Sequence, residues 1–369
     1  MGWTLRFRRL SLAPLLACVL GTASPLPASA QVDCQLNAPC NLCRAACYSV
    51  RSVEKIERGS IVEGTFDRPY LRNRCQNGRD ESGKTFTAYI PAGSHRELKV
   101  LVSIHGTWGD SDDYLTRVID NDCHTKFPNV CPKATPYNRA FFDRHGIIVL
   151  APQFLFFSRS CEQDRFDNFI QDRGHRSDQW LIALVDFVAA SVGKSLGTRV
   201  KHDQIYLFGQ SRGGQFVNKF VYAHPERVIR AAAANSGNYV YPEYRVSVFS
   251  DLRAKGLTPQ GAPERLRRAL TTAPLAIVNG TRDDKFNRLG ADFVCNPDVQ
   301  RVCPLEPAFE CRGRPGAGGA QPTSAFIPGE PLHYRSAQCK LEYFWVDKAI
   351  HHGAQAYPTA AEFLFRGME

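Results

Sequence analysis

Apolar positions in this chain fall into short continuous runs separated by longer stretches of helical spacing. Thr85-Phe86-Thr87-Ala88-Tyr89-Ile90 alternates as a strand, Pro91-Ala92-Gly93 turns, and Lys99-Val100-Leu101-Val102-Ser103-Ile104 is an apolar run of the kind buried on both faces. Pro136 to His145 predicts a helix ending at Gly146, followed by a second buried strand, Ile147-Ile148-Val149-Leu150-Ala151-Pro152. Ser177 and Asp178 open a helix over Gln179 to Val192, where Leu181, Leu184, Val185 and Val188 recur at three and four. Ile205-Tyr206-Leu207-Phe208 is β-prone, and Gln215 to Tyr222 returns to helical spacing. Arg230 to Asn235 reads as a strand despite its alanines, because a strand is due there. A helix around Pro263 to Leu270, strands at Pro274 to Gly280 and Leu341 to Val346, and a closing helix Thr359 to Phe365 complete the pattern. Alternation of this kind predicts an α/β fold, with a mostly parallel central sheet and helices on both faces.

Three regions break the pattern. Residues 1–30 carry Arg6, Arg8 and Arg9, an apolar run from Leu10 to Ala23, and Ala28-Ser29-Ala30, the layout of a secretory signal peptide that is removed. Leu15-Leu16-Ala17-Cys18 loosely resembles a lipoprotein box, a rival reading that anchors the chain by a lipid at Cys18 and ranks below simple cleavage. The apolar run is too short for a convincing membrane span. Residues 31–84 form a cysteine-rich N-terminal extension, and residues 85–369 the main domain. Within the latter, 239–270 is a candidate cap, and 285–338 is a long irregular insertion before the last strand, rich in Cys, Pro and Gly.

Charge and cysteine content narrow the setting. The formal net charge of +10 falls to +7 once Arg6, Arg8 and Arg9 leave with the leader, yet the basic residues are scattered, which argues against nucleic acid as a partner. Of 13 cysteines, loss of Cys18 leaves an even number, so an exported chain is expected to hold disulfides and to reside outside the cytoplasm, secreted or periplasmic. Cys34, Cys40, Cys43 and Cys47 contain a C-x-x-C without a nearby histidine, so staples are expected there and no metal. Cys123 and Cys131 are close enough to be bridged. Asp110, Asp112 and Asp113 lack calcium-loop spacing, and His124, His145, His175 and His202 lack metal spacing; no metal or cofactor is expected. The oligomeric state stays open.

The chemistry gathers at Gly209-Gln210-Ser211-Arg212-Gly213, set between a β-run and a helix. Gly-x-Ser-x-Gly in that context puts a serine on a tight turn whose backbone crowds its neighbours. A serine hydroxyl needs a general base, and the base a third group that fixes its tautomer. An acid follows a later strand at Gly280-Thr281-Arg282-Asp283-Asp284, and a histidine follows the last strand at His351-His352. His105-Gly106-Thr107-Trp108 follows a buried strand. His105 is expected to shape that loop, and Trp108 either lines a cleft or packs beneath the loop. Arg159, Arg165, Arg173 and Arg176 crowd the loop 153–176, as solvated charges or as a site for a substrate carboxylate.

Serine, acid, histidine in this order resembles the α/β-hydrolase superfamily, from about Thr85 to the C-terminus. The Gly-Thr-x-Asp turn is similar to that of secreted esterases, of the polyhydroxyalkanoate (polyester) depolymerase and feruloyl esterase kind. The resemblance implies Ser211 as nucleophile, His351 as base and Asp283 as its orienting acid, with Asp284 and His352 as alternates. Lys348-Ala349-Ile350 departs from the small residues that usually precede the base. It implies an oxyanion hole from the backbone N–H groups of Thr107 and Arg212. The expected activity is hydrolysis of a carboxylic ester, small or polymeric, through an acyl-enzyme. Two alternatives are an amidase or peptidase acting on an acidic polyamide, and a non-catalytic binding protein on the same scaffold.

Overall fold

A computed structural model describes residues 51–66, 85–106, 109–121, 123–154, 177–237, 262–283, 287–307, 326, 329 and 331–368. In chain order the strands are β1 (Ser52–Val53), β2 (Ile61–Thr65), β3 (Phe86–Tyr89), β4 (Glu97–Ile104), β5 (Ile147–Pro152), β6 (Arg199–Val200), β7 (Ile205–Gln210), β8 (Val228–Ala234), β9 (Leu275–Gly280), β10 (Leu305–Glu306), β11 (His333–Ser336) and β12 (Leu341–Val346). The helices are α1 (Ser111–Ile119), α2 (Cys123–Lys126), α3 (Arg139–His145), α4 (Ser177–Leu196), α5 (Arg212–Ala223), α6 (Ala262–Thr272), α7 (Asn287–Val294), α8 (Pro297–Val302) and α9 (Gly353–Leu364).

The strands form one sheet in the order β1-β2-β3-β5-β4-β7-β8-β9-β12-β11-β10, with β6 beside β4. From β5 through β12 every neighbour is parallel, and the flanking pairs at both edges are antiparallel. Side chains alternate between two cores, as a two-residue period requires. Val100, Val102, Ile104 and Leu207 pack with α4, α5 and α6, whereas Leu101, Val149 and Phe208 pack with α1, α3 and α9. Strand β8 lies centrally with α5 and α9 against it, which accounts for its run Ala231 to Ala234: both helices approach a strand without bulk. Helix α4 is long and apolar enough to cross a membrane by composition, and Leu181, Leu184, Val185, Val188 and Val192 pack into the first core instead.

Several elements differ from the sequence expectation. Helix α3 starts at Arg139, three residues late, because Asn138 caps it by accepting from Ala140 N and Phe141 N; Gly146 closes it at φ 63°. The closing helix starts at Gly353 rather than Thr359 and runs through Pro358. Burial of Ala354, Ala356 and Tyr357 offsets the backbone bond that proline removes. The sheet reaches back before residue 85, since β2 pairs with β3. Residues 262–270, expected in a cap, form α6, whose Leu266, Ala269 and Leu270 are core; 239–261 lies outside the described residues. The insertion 285–338 is not wholly irregular: it contains α7, α8, β10 and β11, and the Cys303–Cys339 disulfide ties it to the entrance of β12. Cys123 and Cys131 are bridged as expected. Cys34, Cys40, Cys43, Cys47 and the arginines of 159–176 lie outside the described residues.

Candidate active site

Ser211 sits between the buried strand β7 and the first residue of α5 with φ 58° and ψ −115°. A non-glycine residue there stores strain on the order of 1–3 kcal/mol, which the surrounding bonds must hold. Ser211 N donates to Ala234 O at 2.9 Å, and Gln215 N donates to Ser211 O at 3.1 Å. The flanking glycines are required by approach: a Cβ on Gly209 would overlap the Gly213 carbonyl, and one on Gly213 would overlap the Ile104 carbonyl at the end of β4. The start of α5 therefore presses against the exit of β4.

The Asp283 and His351 turns leave neighbouring strands at one level, because Gly280 of β9 is the register partner of Val346 of β12. Thr281 N donates to Val346 O at 3.0 Å, Arg282 N to Ala349 O at 2.9 Å, and Lys348 N to Thr281 Oγ1 at 2.8 Å. These bonds interlock the two turns. Within them His351 Nδ1 and Asp283 Oδ2 are 2.7 Å apart, with the Asp283 side chain 2 % exposed and that of His351 29 %. The carboxylate accepts from Nδ1–H, which leaves Nε2 with its lone pair, the tautomer a general base needs. A Cβ on Gly353 would stand 3.5 Å from Gln210 Cγ, so the turn after His351 lies beside the residue preceding Ser211. A strained serine after a central parallel strand, with a carboxylate–imidazole pair on turns two and three strands away, decides the architecture.

This is the α/β-hydrolase fold. No protein-family model matches the chain, and no curated protein does. Solved structures similar to it include poly(aspartic acid) hydrolase-1 from Sphingomonas sp. KT-1, at 17 % identity and TM-score 0.45 over 76 % of this chain and 93 % of that one. The LpqC poly(3-hydroxybutyrate) depolymerase from Bordetella parapertussis gives 20 % and 0.46 over 84 % and 89 %. A feruloyl esterase module from Clostridium thermocellum gives 11 % and 0.45 over 85 % and 90 %. Strand order and turn geometry define the fold.

In this hydrolase fold the two histidines have different surroundings. His352 is the N-cap of α9, its Nδ1 accepting from Ala354 N at 3.2 Å, with its ring against Phe127 at 4.8 Å. Asp284, Thr107 and Trp108 lie outside the described residues. Arg212 opens α5, which places its N–H at the positive end of the helix dipole. His105 is wholly buried and accepts from Phe154 N through Nε2 at 2.9 Å, while Nδ1 donates to Gly106 O at 3.0 Å. Burial lowers its pKa to about 4, so it stays neutral and pins the exit of β4 to that of β5.

Two residues at this edge escape sequence reasoning. Tyr114 of α1 donates its hydroxyl to Gln210 Oε1, and burial pushes the phenol up to about 12. A Cβ on Gly106 would come within 2.9 Å of Gln210 Oε1 and 3.0 Å of the Tyr114 hydroxyl. This buried pair thus fills the space between the β4 exit and the serine turn. Tyr114 shares the helical spacing of Leu115, Val118 and Ile119, and Gln210 occupies a variable place in the motif, so neither stands out in the sequence.

Proposed function

We propose that this protein is an exported serine esterase that hydrolyses carboxylic esters through an acyl-enzyme. Ser211 Oγ attacks the ester carbonyl while His351 Nε2 takes its proton, and Asp283 stabilises the imidazolium. The amides of Arg212 and Thr107 bind the oxyanion of the tetrahedral intermediate, a contribution on the order of 3 kcal/mol for each donor. Collapse expels the alcohol, protonated by His351, and a water activated by the same nitrogen then releases the acid. The observation that carries this reading is the 2.7 Å His351–Asp283 pair, with the turn after His351 beside the residue that precedes Ser211. Export is supported by the leader-like start of the chain and by the Cys123–Cys131 and Cys303–Cys339 disulfides.

The test is a panel of p-nitrophenyl esters of short and long acyl groups, aromatic esters and polyesters. The reading expects turnover of at least one class, lost in Ser211→Ala; no turnover of any ester sinks it. A matched ester and amide pair separates the esterase from the amidase that the net charge of +7 after leader removal motivates.

A further inference from the structure

Between the serine strand and the acid strand lies β8, and the residue that follows it is Asn235. It is fully buried and has φ 42°, on the left-handed side that asparagine tolerates better than most residues. Four hydrogen bonds leave this corner. Ala234 O accepts from Ser211 N at 2.9 Å, and Asn235 N donates to Val278 O at 2.8 Å. The Asn235 carboxamide accepts from Gly280 N through Oδ1 at 2.9 Å and donates through Nδ2 to Ile350 O at 3.4 Å. Gly280 opens the turn that carries Asp283, whose own N–H donates to Gly280 O at 3.1 Å, and Ile350 directly precedes His351.

We propose that Asn235 is a positioning residue of this active site, its carboxamide fixing the Asp283 and His351 turns at the height set for Ser211 by the adjacent Ala234 carbonyl. The inference rests on the serine esterase reading above. The bonds of Thr281 and Arg282 tie the acid turn to the base turn. Asn235 adds directional bonds to both turns from the strand that holds the serine turn. The position needs a side chain with one donor and one acceptor, on a backbone that accepts positive φ, and asparagine meets both demands. Asn235→Gly keeps the backbone unstrained and deletes both bonds. Asn235→Asp keeps the acceptor for Gly280 N and turns an oxygen toward Ile350 O.

The experiment measures kcat and KM for p-nitrophenyl acetate in the wild type and both variants, with active sites titrated by a fluorophosphonate. Misplacing a catalytic pair by about 1 Å costs up to about 100-fold, so kcat per titrated site is expected to fall about 10- to 100-fold with KM within about threefold. The second-order rate of fluorophosphonate labelling is expected to fall in step. A merely structural asparagine lowers the titratable fraction or the Tm and leaves kcat per site intact; that result, or kcat within about twofold of wild type in both variants, overturns the inference while the esterase reading stands. A wild type that neither turns over esters nor labels overturns both.

Discussion

Replacing Asp283 by asparagine probes the proposed orienting acid with little change in shape. The carboxylate is 2 % exposed and 2.7 Å from His351 Nδ1. An imidazolium formed during attack would have its charge centre roughly 4 Å from that of the carboxylate, and at an effective dielectric of about 20 the attraction is about 4 kcal/mol. The 29 % exposure of His351 screens part of this. About 3 kcal/mol remains, roughly two decades of rate at about 1.4 kcal/mol per decade. An asparagine amide can also donate to Nδ1, which places the imidazole proton on Nε2 and removes the base, a further loss of about tenfold or more. The expectation is a fall in kcat/KM of about 1000-fold in initial rates on a short-chain p-nitrophenyl ester, with an unchanged circular dichroism spectrum. A folded Asp283→Asn variant within about tenfold of wild type refutes the assignment of Asp283 as the partner of the base.

Other consequences follow from the same geometry. His352→Ala removes the α9 cap and the Phe127 contact, so a urea midpoint should report a loss of about 1 kcal/mol, with kcat within about threefold; a collapse of kcat would move the base to His352. His105 is buried and neutral with its pKa lowered from 6.5 to about 4, so between those values the unfolded chain binds the extra proton. Stability from this residue is therefore full above about pH 6.5 and declines by about 3 kcal/mol as pH falls through 4, and urea melts from pH 7 to 4 should show it. A paired Cys303→Ser/Cys339→Ser variant opens a 36-residue loop, for which chain entropy gives a loss of about 4 kcal/mol, read as a lower Tm than wild type.

What the sequence made legible was local. Continuous apolar runs mark β4, β5, β7 and β9 because strands buried on both faces need no polar alternation, and the Ser211 turn declares itself through glycines that close approach demands. The Gly-Thr-x-Asp turn points to Asp283 and the strand end at Val346 points to His351, and the parallel register of β9 and β12 brings these two turns level. The closing helix starts at Gly353, ahead of the expected Thr359, because burial of Ala354, Ala356 and Tyr357 outweighs the backbone bond that Pro358 removes. The roles of Gln210, Tyr114 and Asn235 arise from contacts between segments far apart in the chain, and nothing in their local spacing signals them. The Cys303–Cys339 pairing is likewise a property of the folded sheet edge, as spacing alone leaves connectivity undetermined.

In the proposed function Ser211 is a nucleophile activated by its surroundings. Intact-mass spectrometry of the native protein after treatment with a fluorophosphonate tests it most directly. One phosphonyl group is expected on the wild type, mapped by peptide sequencing to Ser211 and absent in Ser211→Ala. An unlabelled wild type, or a label that persists in Ser211→Ala, contradicts it.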